Sequence, residues 1–144
     1  MTTHVAIMKK SWGMIPKIIS GEKKIESRWS VRKSIPWGRV KKGDTIYFKN
    51  SGGSISAKAK VSKVIEIENL NAIEIKNILT KFGHSDGIAI TDYESVYNRV
   101  RNAKYCLLIY LKSPQKTKPF NINKKGYGAM SAWISVKQIQ TIKI

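Results

Sequence analysis

Apolar and polar positions follow strand-like spacing towards both ends of the chain. Residues 4–8, 24–29 and 45–49 alternate, or form short apolar runs bounded by turn residues, and each is predicted as a strand. A fourth strand is predicted over 55–61, where every second residue is apolar. The alternation shifts by one position at Val64, which predicts a bulge or bend where a sheet curls.

The middle of the chain has helical spacing instead. Apolar residues recur three or four positions apart over 75–82 and again over 93–100, and Gly83 follows the first of these runs. Thr91 and Glu94 have the spacing of a capping box at the start of the second helix. We therefore expect the tyrosines of this helix to pack in the core.

A short helix and further strands complete the pattern. Residues 14–19 have a helical apolar face, and residues 105–111 are apolar on both alternating phases, as in a central strand buried on both sides. Strands are also predicted over 119–122 and 133–144, with a loop over 124–131 between them. Strands with a two-helix insertion make a mixed α+β domain, with a small barrel as its expected form.

Composition limits the class of protein. A chain of 144 residues, 42% hydrophobic and 25% charged, fits one globular domain over residues 1–144. No apolar run is long enough to cross a bilayer. One cysteine, Cys106, and two histidines argue against disulfides and structural zinc, so we expect a cytoplasmic protein without a metal or cofactor.

The charge is strongly positive and unevenly distributed. The net charge is +18, and residues 1–50 carry 12 Lys and Arg against 3 Asp and Glu. Residues 51–100 carry six of each, and residues 101–144 carry nine basic residues and no acid. Two basic ends around a neutral middle indicate a surface that faces a polyanion such as RNA or a nucleotide. A lysine-rich surface without a partner is the alternative.

The segment from Gly21 to Arg28 is the most informative for chemistry. A predicted helix ends at the glycine, and a strand follows on which Lys24, Glu26 and Arg28 share one face. A carboxylate between two cations can hold a guanidinium in place for contact with phosphate or a base. A surface ion cluster of little energetic value explains the spacing equally well.

This segment resembles a family signature. Gly21, Lys23, Glu26 and Arg28, followed by the segment from Lys42 to Ile46, closely resemble the pattern G-x-K-x-x-E-x-R … K-x-G-D of ASCH domains. The resemblance implies a PUA-like small β-barrel with a cleft beside the motif, and an RNA-related function. It is strongest over residues 4–67.

Some ASCH proteins are amidohydrolases that deacetylate N4-acetylcytidine, and others have been linked to RNA cleavage. In the amidohydrolases, a lysine at the position of Lys23 acts with a threonine and a distant glutamate. Here Glu26 occupies the threonine position, and Asp86 is the nearest counterpart of the glutamate by order along the chain. Lys23, Glu26 and Asp86 are therefore the catalytic candidates if the protein is an enzyme.

Basic and aromatic residues surround the motif. Indole rings on a basic loop are suited to stacking on unpaired bases, while Arg and Lys neutralise phosphate. A loop at 123–128 adds a tyrosine between glycines beside two lysines. Trp133, in an alternating segment, is expected in the core. The predicted RNA-binding residues are Trp12, Lys23, Lys24, Glu26, Arg28, Trp29, Arg32, Lys33, Trp37, Arg39, Lys124, Lys125 and Tyr127.

The sequence thus favours an RNA-binding module whose cleft takes single-stranded RNA or a modified base. The cleft is expected between the segment 21–28, the loop 29–42 and the loop 124–127. A small-nucleoside amidohydrolase or a ribonuclease is the main alternative. A weaker alternative is an adaptor that uses the helical region 71–102 against a protein partner.

Overall fold

The chain folds around a six-stranded mixed sheet that curls into a half-barrel. The computed structural model describes residues 1–128 and 130–144. The spatial order of the strands is β2-β5-β4-β3-β1-β6, so β2 and β6 are the edges. β1 runs parallel to β3, and the other neighbouring pairs are antiparallel. The strands are β1 (Thr3–Met8), β2 (Ile25–Ser30), β3 (Thr45–Asn50), β4 (Ile55–Ile67), β5 (Tyr105–Phe120) and β6 (Trp133–Val136).

Three α-helices pack on this sheet, and their order confirms the short N-terminal helix and the two-helix insertion. They are α1 (Met14–Ser20), α2 (Ala72–Phe82) and α3 (Tyr93–Val100). α1 ends at Gly21, whose φ of 83° is a left-handed conformation that glycine adopts without strain. The Asn71 side chain accepts a hydrogen bond from the Glu74 backbone amide at 2.8 Å and caps α2.

β5 separates two hydrophobic clusters, as its apolar run predicted. Leu107 and Ile109 face the concave core with α1. Cys106 and Leu108 face the α2–α3 pair on the other side. Burial raises the pKa of the Cys106 thiol well above its usual value, which fits a core residue. A strand covered on both faces needs apolar residues at every position, and that removes the alternation.

The structure confirms some of the local features predicted from the sequence and contradicts others. The register of β4 against β5 shifts between Val61 and Lys63, close to the predicted bulge. The capping box is wrong: the chain enters α3 through a 3₁₀ turn, Ile90–Asp92, and Asp92 is the N-cap residue without a side-chain cap. Of the strand predicted over 119–122, only Pro119 and Phe120 are in a strand, at the end of the long β5. Of the strand predicted over 133–144, only Trp133–Val136 forms β6, and Ile139–Thr141 is a 3₁₀ turn. Residue 129 of the predicted loop lies outside the described residues.

A buried polar network joins the two ends of the chain. His4 is fully buried, and its Nδ1 accepts a hydrogen bond from Trp133 Nε1 at 3.1 Å. The proton is therefore on Nε2, which donates to Asp44 Oδ2 at 2.9 Å. Burial lowers the pKa of His4, although the Asp44 carboxylate partly offsets that effect. Trp133 is in the core, as predicted.

The depressed pKa of His4 predicts acid sensitivity. A histidine that is neutral in the folded state contributes full stability above its unfolded pKa of about 6.5, and loses it as the pH falls towards its folded pKa. We expect the free energy of unfolding to fall with a slope of up to about 1.4 kcal/mol per pH unit below pH 6.5. Urea titrations at pH 7.5, 6.5 and 5.5 would measure it. The His4→Gln variant should show a shallower slope, and an equal slope would contradict the prediction.

Candidate functional site

The free edge of β2 is covered by the loop between α2 and α3. Because β2 pairs with β5 on one side, its odd-numbered residues direct their backbone groups to the other. The Ile25 amide donates to Ser85 O at 2.9 Å, and so does the amide of Lys24, just before the strand, at 2.7 Å. The Ser27 amide donates to Asp86 Oδ1 at 3.2 Å. Residues of this loop thus replace part of a missing neighbouring strand.

The Lys23 side chain also covers the edge of β2, and its ammonium group interacts with two buried carboxylates. Its Nζ donates to Ile25 O and to Asp86 O, both at 2.7 Å, and to Asp86 Oδ1 at 2.5 Å. Glu26 Oε1 lies 3.3 Å from the same nitrogen. The Ser27 hydroxyl donates to Asp86 Oδ2 and accepts from Trp29 Nε1 at 3.2 Å. Lys23, Glu26 and Asp86 are all buried.

Arg28 extends this network across the opening between the sheet edges. Its Nη2 donates to Glu26 Oε2 at 2.9 Å, and its Nη1 donates to Ala132 O, next to β6, at 3.3 Å. The guanidinium carbon lies 5.0 Å from the ring centroid of Trp133. The buried Glu26 therefore orients the partly exposed Arg28 through an ion pair, an arrangement that the sequence left open.

The pKa values of the three buried groups follow from their charged neighbours. Burial lowers the pKa of Lys23, but the carboxylates of Glu26 and Asp86 offset that effect and hold it above its usual value. Burial raises the pKa of Glu26, but Lys23 and Arg28 bring it below its usual value. Burial raises the pKa of Asp86, and the charge of Glu26 adds to that rise against the effect of Lys23. Lys23 is thus an ammonium ion at neutral pH.

A cavity of about 610 Å³ opens beside this network. β2 forms one wall, α3 forms a second, and the segment around the 3₁₀ turn Lys10–Trp12 forms the third. Trp12, 41% exposed, stands at the mouth with the Arg99 guanidinium stacked 4.3 Å from its ring centroid. The charged residues of the lining are Lys17, Lys23, Arg28, Arg99, Glu26, Asp86 and Asp92.

A second cavity of about 540 Å³ lies at the end of β2. Arg28, Trp29 and Ser30 line both cavities. The loop 34–37 and the segment 131–133 form the rest of its wall. Trp37 is half-buried there, and its ring packs edge-on against Tyr105 at 5.2 Å between centroids.

The two cavities overlap the predicted cleft only in part. The larger cavity is lined partly by α3, a helix that was not among the predicted RNA-binding elements. The loop 29–42 contributes six of the lining residues of the smaller cavity, whereas none of the loop residues 124–127 is among them. Among the described lining residues of the two cavities, none of these predicted residues occurs: Lys24, Arg32, Lys33, Arg39, Lys124, Lys125 and Tyr127. Lys33 instead pairs with Glu68 at 2.7 Å on the surface.

Arg99 and Ser27 line the larger cavity but were not among the predicted site residues. Arg99 lies on the exposed face of an ordinary amphipathic helix, and only the packing of α3 over β2 brings it to Trp12. Ser27 lies in the motif at a position that the signature leaves open. Its alternation with Glu26 indicated the face of the strand, but not the carboxylate it would meet.

Solved structures of ASCH domains share this fold. An ASCH protein from Zymomonas mobilis aligns with a TM-score of 0.67 at 14% identity, over 96% of this chain and 90% of that one. The ASCH domain from Lactobacillus crispatus aligns with a TM-score of 0.51 at 12% identity, over 75% and 78% of the two chains. The N-terminal domain of Staphylothermus marinus McrB aligns with a TM-score of 0.51 at 17% identity, over 83% and 76%. No family model and no curated protein matches the sequence.

The chain therefore has the fold of ASCH domains, as the motif indicated. No helix among the described residues is long and apolar enough to cross a membrane. In the same part of the chain, no group of three or more His, Cys, Asp or Glu side chains is arranged to hold a metal ion.

Proposed function

We propose that this protein binds single-stranded RNA and takes one unpaired base into the larger cavity. The observation that carries the proposal is a cavity of about 610 Å³. Its lining includes the buried ion-pair network of Lys23, Glu26 and Asp86, and the Trp12 ring and the Arg99 guanidinium lie at its opening. Unpaired bases are recognised by stacking on aromatic or guanidinium planes and by hydrogen bonds to their edges. The cavity supplies both kinds of surface.

The polar groups that would meet a base belong to β2. The polar atoms of Lys23, Glu26 and Asp86 interact with one another and with the backbone edge of β2. By alternation, the Ser27 carbonyl and the Trp29 amide face the same free edge, beyond the part that the loop covers. An acceptor and a donor at fixed spacing suit the edge of a nucleobase. The ionic groups hold this edge in place.

The charge distribution supports an RNA backbone outside the cavity. The lining carries four basic and three acidic side chains, so it is nearly neutral and suited to an uncharged base. Exposed basic residues adjoin the lining residues along the chain, namely Lys9, Lys10, Arg32 and Arg101. They provide phosphate contacts at the rim, where the release of counterions drives binding.

Salt dependence and two variants test the proposal. With about three phosphate contacts, the affinity for a short single-stranded RNA should fall about 20-fold between 50 and 200 mM salt. Trp12→Ala and Arg99→Ala should each weaken binding about tenfold, because stacking on a base is lost. Lys118→Ala, an exposed lysine at the far end of β5, is the matched control. Fluorescence anisotropy measures all three, and salt-independent binding or equal effects of Arg99 and Lys118 would refute the proposal.

Hydrolysis of a modified nucleoside is the second candidate function. A hydroxyl, Ser27 Oγ, donates to a buried carboxylate whose pKa is raised, and both line the cavity. The Lys23 ammonium has no lone pair to accept a proton, so Asp86 would have to carry the acid–base step. Turnover of N4-acetylcytidine that is abolished by Asp86→Asn in a folded variant would favour this function over binding alone.

A further inference from the structure

We infer that the two cavities are adjacent subsites for consecutive nucleotides, so that the smallest fully bound ligand is a dinucleotide. The inference rests on the proposed function and names the ligand more closely. Its structural basis is that Arg28, Trp29 and Ser30 form a shared wall between the cavities. A ligand part that fills one cavity therefore lies next to the other cavity.

The smaller cavity has the lining expected of a stacking subsite. Its side chains are mostly apolar or aromatic, and include Ile35, Pro36, Trp37 and Trp133. Stacking on such a surface stabilises any of the bases, because each base has a planar aromatic face. The larger cavity contributes hydrogen-bonding groups of β2, so the two subsites differ in kind: one suited to reading a base edge and the other to stacking.

Exposed apolar side chains mark both entrances. Val31 is 61% exposed and lines the larger cavity, while Ile35 is 54% exposed and lines the smaller one. Large exposed apolar residues that border adjacent cavities indicate a binding surface. Val31 and Ile35 lie on either side of the shared wall, and this position fits two consecutive bases of one RNA strand.

Arg28 is placed to meet the phosphate between the two bases. It lies in the shared wall, its side chain is 19% exposed, and Glu26, Ala132 and Trp133 fix its orientation. A guanidinium has five N–H donors, and the three contacts to Glu26, Ala132 and Met8 Sδ leave two for a ligand. A cation in the wall shared by two adjacent cavities fits a dinucleotide, whose one internal phosphate joins two nucleosides.

Binding of short oligonucleotides to the full chain tests this inference. Calorimetry would compare a mononucleotide, a dinucleotide and the same dinucleotide with one base replaced by an abasic ribose, which leaves its charge unchanged. We expect the dinucleotide to bind about tenfold more tightly than the abasic form. Equal affinity of the dinucleotide and its abasic form would overturn the inference, while tight binding of all three would leave the proposed single-base site standing.

A matched pair of variants locates the second subsite. Ile35→Glu places a charge at the mouth of the smaller cavity, and Ile73→Glu places the same charge on α2, where Ile73 is 71% exposed. Ile35→Glu should weaken the dinucleotide about tenfold more than Ile73→Glu does, and should leave the mononucleotide unchanged. Equal losses for mononucleotide and dinucleotide would overturn the inference. If no RNA of any length binds wild type, the proposed function itself fails.

Discussion

Replacing Lys23 by alanine is expected to lower the free energy of unfolding by about 3–5 kcal/mol, because it leaves buried carboxylates without their cation. The Lys23 ammonium lies 2.5 Å from Asp86 and 3.3 Å from Glu26, and its side chain is 2% exposed. It also satisfies the Ile25 carbonyl at the strand edge. Arg28 would remain as a partner of Glu26, but Asp86 would face that second carboxylate with no ammonium between them.

The neighbouring lysine supplies the control. Lys24 follows directly in the sequence and is exposed, so Lys24→Ala should change the free energy of unfolding by less than about 0.5 kcal/mol. Urea unfolding at pH 7 measures both variants. Similar values for Lys23→Ala and Lys24→Ala would show that the buried network does not stabilise the fold.

The effect of Lys23→Ala should also depend on pH in a defined direction. The pKa of Glu26 is depressed by Lys23 and Arg28 despite its burial, so its stabilising contribution is present above its ordinary value of about 4.3 and is lost as the pH falls through its folded pKa. The difference between wild type and Lys23→Ala should therefore shrink below pH 4.3. The double variant Lys23→Ala/Asp86→Ala should lose less stability than the sum of the single variants.

Replacing Asp44 by alanine is expected to lower the free energy of unfolding by about 3 kcal/mol, because one carboxylate serves three donors. Asp44 Oδ2 accepts from His4 Nε2 and from the Lys41 amide, both at 2.9 Å, and Oδ1 accepts from the Thr2 amide at 3.1 Å. These contacts tie the turn before β3 to the start of β1. The buried His4 would lose its acceptor.

Asp92→Ala is the matched control for this prediction. Asp92 is exposed at the start of α3 and makes no side-chain cap, so its loss should cost less than about 0.5 kcal/mol. Thermal and urea unfolding of the two variants would compare them directly. Equal stabilities would mean that the aspartate of the K-x-G-D turn is not a structural residue.

The residues of the motif that indicated the fold class have structural roles in and near the candidate site. Gly21 ends α1, Lys23 and Asp86 cover the edge of β2, and Asp44 joins β1 to β3. Sequence spacing could place Glu26 and Arg28 on one strand face, because strand periodicity is local. It could not bring Asp86 to Lys23, since 63 residues separate them. Asp86 was a candidate only because its place along the chain corresponds to that of the distant glutamate in the ASCH amidohydrolases.

The walls of the cavities depended on packing between distant elements. Trp12 and Arg99 come from a 3₁₀ turn and from α3, and no local pattern in either segment points to the other. The basic loop 29–42 looked like the natural cleft because its composition suits RNA. Lys33 there pairs with Glu68, and Trp37 packs against Tyr105 beside the smaller cavity.

The sequence by itself determined the elements whose signals are local: the apolar faces of α1, α2 and α3, the alternation of β4, and the doubly buried run of β5. It also carried two short segments, residues 21–28 and the turn before β3, that resemble the ASCH signature. Tertiary structure decided which charges are buried together and where the cavities lie. Those features arise when strands and helices far apart in sequence pack against one another, and hydrophobic periodicity reports only which face of each element turns inward.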